Sequence, residues 1–101
     1  MDLWIRSQNK EILILAEHLD IYDASVEDEE LFVIEESGTD LGSYKTKERA
    51  LEVLDEINDI KWYKYMAELS WNDFIRIIND KTQSEKIKLF SNMNTYVMPI
   101  E

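Results

Sequence analysis

The chain has 101 residues, of which 45% are hydrophobic and 11% aromatic, and these values are typical of one compact domain with a modest core. It contains no cysteine, which excludes disulfides, thiolate metal centres and cysteine nucleophiles and favours a reducing cytoplasm. With 22 acids against 11 bases the formal net charge is −11, which opposes binding to nucleic acids and to anionic membranes. We expect a single domain over residues 1–101, with no direct nucleic-acid or membrane contact.

The first half of the chain predicts β-strands. Five short segments are rich in apolar, β-branched and aromatic residues: 3–7, 12–16, 19–23, 31–35 and 41–45. The second is apolar without alternation, which predicts cover on both faces, and the third either continues it or forms a separate strand. The turn residues 37–40 make the last two segments a predicted hairpin. Gly42 indicates a bulge or the close approach of another backbone.

The second half predicts helices. Thr46 is a good N-cap for a helix over residues 47–57, and nothing before residue 69 would break that helix. Its apolar stripe consists of Ala50, Leu51, Val53, Leu54 and Ile57. A capping box at Ser70 predicts a second helix with an apolar face of Trp71, Phe74, Ile75 and Ile78.

Residues 84–98 suit a hairpin, although 84–90 also fit a helical turn, and Pro99 ends the last strand. The predicted fold class is therefore α+β, with an N-terminal antiparallel β-sheet followed by two helices and a C-terminal strand.

The negative charge is confined to one segment. Residues 11–44 contain no Lys or Arg and eleven acids, so the rest of the chain, with eleven acids and eleven bases, is neutral. Such a block is either a solubilising face or a face that attracts basic protein surfaces. As a partner-binding face, its candidate residues are Asp23, Glu27, Asp28, Glu29, Glu30, Glu35, Glu36 and Asp40.

Catalytic and metal-binding patterns are scarce. His18 is the only histidine, and no activated nucleophile can be placed beside it. The acids between Asp20 and Glu30 lack the glycine and the ligand spacing of a calcium loop. No phosphate-binding loop, dinucleotide fingerprint or nucleophile elbow is present. We expect no catalytic residues, no metal site and no cofactor, and therefore a protein that is not an enzyme.

Two aromatic groups allow other interpretations. Trp4 and Arg6 share one face of the first strand, opposite Ile5, and with Tyr44 and Lys45 they form a candidate site for a flat anionic ligand. Arg6 packing its stem across Trp4 explains the same pattern without a ligand. The aromatic residues of the helical half either pack the two helices together or present a partner surface through Trp62, Tyr65 and Trp71.

Three sequence segments resemble small accessory proteins of phages and prophages of Gram-positive bacteria. They are the opening Trp4-Ile5-Arg6-Ser7-Gln8, residues 41–54 from Leu41-Gly42-Ser43-Tyr44 onwards, and the ending Val97-Met98-Pro99. Such proteins often inhibit host defence by stoichiometric binding, and many anti-CRISPR proteins are acidic. The resemblance thus implies a location in the host cell cytoplasm. The three segments contain no catalytic motif, so the resemblance assigns no catalytic residue to this chain.

Together these observations predict a non-enzymatic phage-encoded inhibitor of a host defence system, comparable to anti-CRISPR proteins. Its acidic face would block the basic, nucleic-acid-binding surface of a host defence protein. The alternative is a sponge that sequesters a nucleotide immune signal at a homo-oligomer interface. A third hypothesis is a structural or regulatory phage protein that binds its partner through the helical half.

Overall fold

The computed structural model describes residues 3–67 and 94–101, which form an α+β fold of six strands and one helix. In chain order the elements are β1 (Trp4–Arg6), β2 (Leu13–Leu15), β3 (Leu19–Asp23), β4 (Phe32–Glu36), β5 (Thr39–Tyr44), α1 (Lys47–Ala67) and β6 (Thr95–Val97). The predicted α+β class and the C-terminal strand are confirmed. The second helix expected from Ser70 and the hairpin expected over 84–98, except its last strand, lie outside the described residues.

The strands form two three-stranded sheets, where the sequence predicted one antiparallel sheet. In the first sheet β1 is central, antiparallel to β2 and parallel to β6. In the second sheet β4 is central and antiparallel to both β3 and β5. The third predicted strand is thus separate from the second. The cover predicted on both faces of β2 is wrong, because Leu13 is 45% exposed.

Helix α1 begins as predicted and runs to Ala67. The Thr46 hydroxyl accepts a hydrogen bond from the Arg49 amide at 3.1 Å, as expected for an N-cap. Of the predicted apolar stripe, Ala50, Val53 and Ile57 are buried, whereas Leu51 is exposed because it lies at the edge of the helix face that contacts the sheet. The helix packs on β3, β4 and β5.

The core lies between α1 and the inward faces of the two sheets. Its fully buried side chains include Leu3 and Ile5 from the β1 segment, Ile34 from β4, and Ile57 and Ile60 from α1. Within β1 the side chains alternate as predicted, since Ile5 is buried while its neighbours on either side are not.

The β4–β5 hairpin closes through a two-residue turn. Ser37 and Gly38 have φ angles of 48° and 89°, the two left-handed residues of a type I′ turn. The pairing register shifts between Ile34 and Glu35, opposite Leu41, so the predicted bulge is confirmed beside Gly42. The close approach at Gly42 comes from side chains and not from another backbone.

We expect Gly42→Ala to lower the free energy of unfolding by about 1–3 kcal/mol through overpacking. An added Cβ would lie 3.1 Å from Gln8 Cγ, Gln8 Cδ and Met98 Cε. Met98 is buried and Gln8 is held by hydrogen bonds, so neither side chain can move away freely. Urea denaturation followed by tryptophan fluorescence measures the loss.

Gly38→Asn is the matched control for this prediction. No atom lies within 4 Å of the position of its Cβ, so any loss in this variant comes from the backbone φ of 89°, which glycine favours and Asn adopts at a modest cost. This variant should stay within about 1 kcal/mol of the wild type. An equal loss in both variants would show that the crowding at Gly42 is not the cause.

Candidate functional site

The β3–β4 connection is an ordered acidic turn and not a loose loop. Its backbone continues the ladder, since Val26 and Glu29 exchange hydrogen bonds of 2.9 and 2.7 Å and the Ala24 amide donates to the Leu31 carbonyl at 2.8 Å. The Leu31 amide donates to the Ser25 hydroxyl at 2.9 Å. We call five exposed acids of this hairpin end the acidic tip: Asp23, Glu27, Asp28, Glu29 and Glu30.

The acidic tip also presents an apolar side chain. Val26 is 68% exposed directly beside the four consecutive acids. The Asp23 carboxylate accepts a hydrogen bond from the Ser25 amide at 2.8 Å. Hydrogen bonding by the Ser25 side chain and amide, with a smaller contribution from the Lys47 charge, lowers the pKa of Asp23. This turn therefore holds the Asp23 carboxylate in its ionised form on a hydrogen-bonded backbone.

A second acidic group crosses the sheet face that is turned away from α1. Asp20, Glu35 and Asp40 are direct cross-strand neighbours on β3, β4 and β5, and we call them the acidic row. The Tyr22 hydroxyl donates to both carboxylate oxygens of Asp40 at 2.9 Å. Like charges placed directly opposite one another destabilise a sheet, so the acidic row is an unfavourable arrangement at neutral pH.

The pKa of Glu35 is raised above its ordinary value. Partial desolvation is the largest cause, followed by a hydrogen bond with Asp20 and by the charges of Asp20 and Asp40. A carboxyl group whose pKa is higher in the folded state stabilises the fold below its unfolded pKa, and this contribution is lost as the pH rises through the folded pKa.

We therefore expect Glu35→Gln to raise the melting temperature at pH 7.5, because it removes the central charge of the acidic row. The stability of the wild type should rise as the pH falls from 7.5 toward 4.5, the ordinary pKa of a glutamate, and the stability of the variant should rise much less. Thermal melts at half-unit pH intervals measure both. A variant with the same pH dependence as the wild type would contradict the assignment to Glu35.

Glu36 does not belong to either exposed group, although the sequence placed it among the partner-binding acids. It is 5% exposed, and its Oε2 accepts hydrogen bonds from the Glu17 and His18 amides at 3.2 and 2.8 Å. Its Oε1 accepts one from the Ser37 hydroxyl at 3.0 Å. Glu36 thus fixes the turn between β2 and β3, and in this conformation it offers no surface to a partner.

The four candidate residues for an anionic ligand are not brought to one place within the chain. Tyr44 and Lys45 line a cleft of about 460 Å³ between the acidic tip and the start of α1. Trp4 and Arg6 lie on β1 in the other sheet and do not line this cleft. Tyr44 is 2% exposed, and its hydroxyl donates to the Pro99 carbonyl at 2.9 Å. Burial raises the pKa of Tyr44 to about 12.

Sequence reasoning missed Gln8, which connects the two sheets. Its backbone amide donates to the Leu41 carbonyl at 2.8 Å. Its side-chain amide accepts from the Ser43 amide at 2.7 Å and donates to the Ser43 carbonyl at 3.0 Å, as a neighbouring strand would. Gln8 therefore occupies the outer edge of β5. A polar residue in a predicted turn carries no local signal for such a role.

Of the three aromatic residues named for an alternative partner surface on the helical half, two lie on α1 and are exposed. Trp62 and Tyr65 are 47% and 48% exposed, and they flank an open groove with Leu3 and Leu15. Tyr63 is buried and meets the Trp62 ring edge-on, with ring centroids 5.3 Å apart. Trp71 lies outside the described residues.

Comparison of the chain with protein-family models, with curated proteins and with solved structures found no match. The described part of the chain has no helix that is long and apolar enough to cross a membrane. Within the same residues, no three acidic or histidine side chains converge in a way that could hold a metal ion. The candidate site therefore rests on the geometry of the acidic tip and the acidic row.

Proposed function

We propose that this chain is a non-enzymatic binding protein that uses its acidic β3–β4–β5 sheet to block a basic, nucleic-acid-binding surface of another protein. In the phage setting implied by the sequence resemblance, the target is a host defence protein and the site of action is the host cytoplasm. The observation that carries the proposal is the ordered acidic tip, five exposed carboxylates on a hydrogen-bonded turn with no base in the whole 11–44 segment.

Order matters for this function because a fixed turn loses little conformational entropy on binding. The paired backbone of Val26 and Glu29 and the hydrogen bond between the Leu31 amide and the Ser25 hydroxyl order the backbone of the turn, and the Ser25 amide holds the Asp23 carboxylate. Solubility alone needs no such order. Acids carried on an ordered backbone are presented together to the phosphate-binding groups of a partner, and they speed association by electrostatic steering.

The arrangement of charges also supports a competitive mode of action. A surface that binds phosphates is lined with Lys and Arg, and their positive potential attracts the acidic tip over about a Debye length. The exposed Val26 adds an apolar contact in the middle of the charged surface. The bound chain would then exclude nucleic acid by occupying the same basic groups.

Affinity capture from a bacterial host lysate tests the proposal. The tagged chain is incubated with nuclease-treated lysate at about 50 mM and about 500 mM salt, and the retained proteins are identified by mass spectrometry. We expect a basic nucleic-acid-binding protein that is retained only at low salt. Retention of partners that are acidic, or that resist high salt, would contradict the proposed surface.

A further inference from the structure

The second sheet has two outer edges, those of β3 and β5, and they differ in whether their backbone groups are hydrogen-bonded. The edge of β5 is occupied by Gln8, through its backbone amide and its side-chain amide. Along β3 and the residues that follow it toward the acidic tip, residues 20, 22, 24 and 26 form the hydrogen-bonded pairs with the opposite strand. The backbone bonds of Ala24 with Leu31 and of Val26 with Glu29 establish this alternation. The backbone N–H and C=O groups of Leu19, Ile21 and Asp23 therefore point away from the sheet.

Nothing within residues 3–67 and 94–101 pairs with these groups. No strand or backbone hydrogen bond of the described chain reaches the outer edge of β3. An unpaired strand edge is a template for another strand, and proteins normally blunt it with charge or cover it. Here the edge is five residues long, which is enough for a short added strand.

We propose that the outer edge of β3 is a docking edge, which takes up an extended basic segment of the partner protein as a fourth strand of the sheet. This inference rests on the proposed function for the basic character of the partner and adds the way in which it is bound. Main-chain hydrogen bonds to Leu19, Ile21 and Asp23 provide the register, and side chains on alternate faces provide the specificity.

The two faces at this edge select an alternating sequence. On the outward face the added strand lies beside Asp20 and Tyr22, next to the acidic row, so its outward side chains are Lys or Arg. On the inward face Leu19 borders a groove of about 290 Å³ against α1. Leu54 and Ile57 form its apolar part, and its other lining residues are Glu17, Asp55, Asn58 and Lys61. The inward side chain of the added strand that lies beside Leu19 is therefore apolar.

A second copy of this chain is a poorer occupant of the same edge. Pairing two β3 strands would place two acidic rows on one continuous sheet face, and the repulsion between them opposes association. Charge complementarity thus favours a basic strand over self-pairing.

A synthetic decapeptide that alternates Lys and Val tests the docking edge with the full chain. The first control peptide is an isomer that repeats Lys-Lys-Val-Val and so lacks the alternation. The second control keeps the alternating sequence but has N-methylated amides along one edge, which removes the backbone donors there. We expect the alternating peptide to bind at least about tenfold more tightly than either control, because only it combines strand alternation with free backbone donors. Fluorescence anisotropy gives the affinities.

Amide hydrogen exchange identifies the edge. The peptide should slow exchange at Leu19, Ile21 and Asp23 by about tenfold or more, and leave Thr95 and Val97 on β6 unchanged.

Asp20→Asn should weaken peptide binding about 3- to 10-fold, whereas the helix-surface variant Asp59→Asn should stay within about twofold. Equal affinity for all three peptides, protection elsewhere than on β3, or peptide-independent dimerisation through β3 in sedimentation would overturn the docking edge.

The outcomes separate the two proposals. If the peptide leaves β3 unprotected while lysate capture still returns a salt-sensitive nucleic-acid-binding protein, the docking edge is wrong and the proposed function stands. If β3 is protected by the peptide but capture returns no such protein, the proposed function is wrong and the docking edge stands.

Discussion

Replacing Gln8 with Ala should lower the free energy of unfolding by roughly 2–4 kcal/mol, the largest effect that we expect from a single polar side chain in this fold. The side chain accepts one hydrogen bond from Ser43 and donates to the carbonyls of Ser43, Pro99 and Ile100 at 3.0, 2.8 and 3.2 Å. The variant loses these contacts at once, so that within the described chain the edge of β5 keeps only the backbone bond from Gln8 to Leu41 and residues 99–101 keep only their bonds to Tyr44 and Arg49. Thermal melts should show a decrease of roughly 10–25 °C.

Two further variants make this prediction specific. Gln8→Glu keeps an acceptor for the Ser43 amide but turns carboxylate oxygens toward the three carbonyl oxygens, so at neutral pH it should be at least as unstable as Gln8→Ala. Glu11→Ala, an exposed position in the same connection, should change stability by less than about 0.5 kcal/mol. A melting temperature of Gln8→Ala within about 2 °C of the wild type would refute the role of Gln8.

Neutralising the acidic tip should reduce affinity for the captured partner by about 10- to 100-fold at low salt. The triple variant Glu27→Gln, Asp28→Asn and Glu30→Gln removes three charges without altering the backbone bonds that order the turn. These side chains are exposed, so the fold should keep its stability. Surface plasmon resonance gives the dissociation constants, and the association rate should fall with them because steering is weakened.

The matched control removes three charges from the other half of the chain. Glu48→Gln, Glu52→Gln and Asp59→Asn change exposed acids of α1 and give the same net charge as the tip variant. If net charge alone attracts the partner, both triple variants lose affinity equally, and the acidic tip is then not the binding surface. We expect the helix variant to stay within about threefold of the wild type.

Local signals were sufficient to predict α1 and the β4–β5 hairpin. The Thr46 cap and the apolar spacing of the helix are properties of consecutive residues, and the type I′ turn at Ser37 and Gly38 follows from turn chemistry. The division of the strands between two sheets could not be predicted in the same way. It follows from contacts between residues far apart in the sequence, among them the hydrogen bonds that the Glu36 carboxylate accepts from the Glu17 and His18 amides at the turn between β2 and β3.

The acidic face was predicted as one surface, and the structure divides it into three parts. Glu35 and Glu36 are neighbours in one strand, and strand alternation alone places their side chains on opposite faces. From that alternation the sequence alone could have predicted that Glu36 does not share the exposed face with Glu35. The position of the acidic row depends on the pairing of Asp20 and Asp40 with Glu35, which only the register reveals.

Gln8 and the docking edge carried no sequence signal. The glutamine lies in a polar turn, and its importance comes from meeting Ser43 and the C-terminal residues across the fold. The outward backbone N–H and C=O groups of β3 are identified only by the register with which β3 pairs with β4. Both features are products of the tertiary arrangement.

Displacement of nucleic acid from the captured partner tests directly whether the acidic tip blocks its basic surface. Labelled duplex DNA or RNA, bound to the purified partner at about 50 mM salt, is titrated with the wild type, the tip variant and the helix variant. We expect the wild type and the helix variant to release the nucleic acid at about one chain per site, and the tip variant to require about 10- to 100-fold more. A stable complex of chain, partner and nucleic acid, or equal displacement by all three chains, would contradict this expectation.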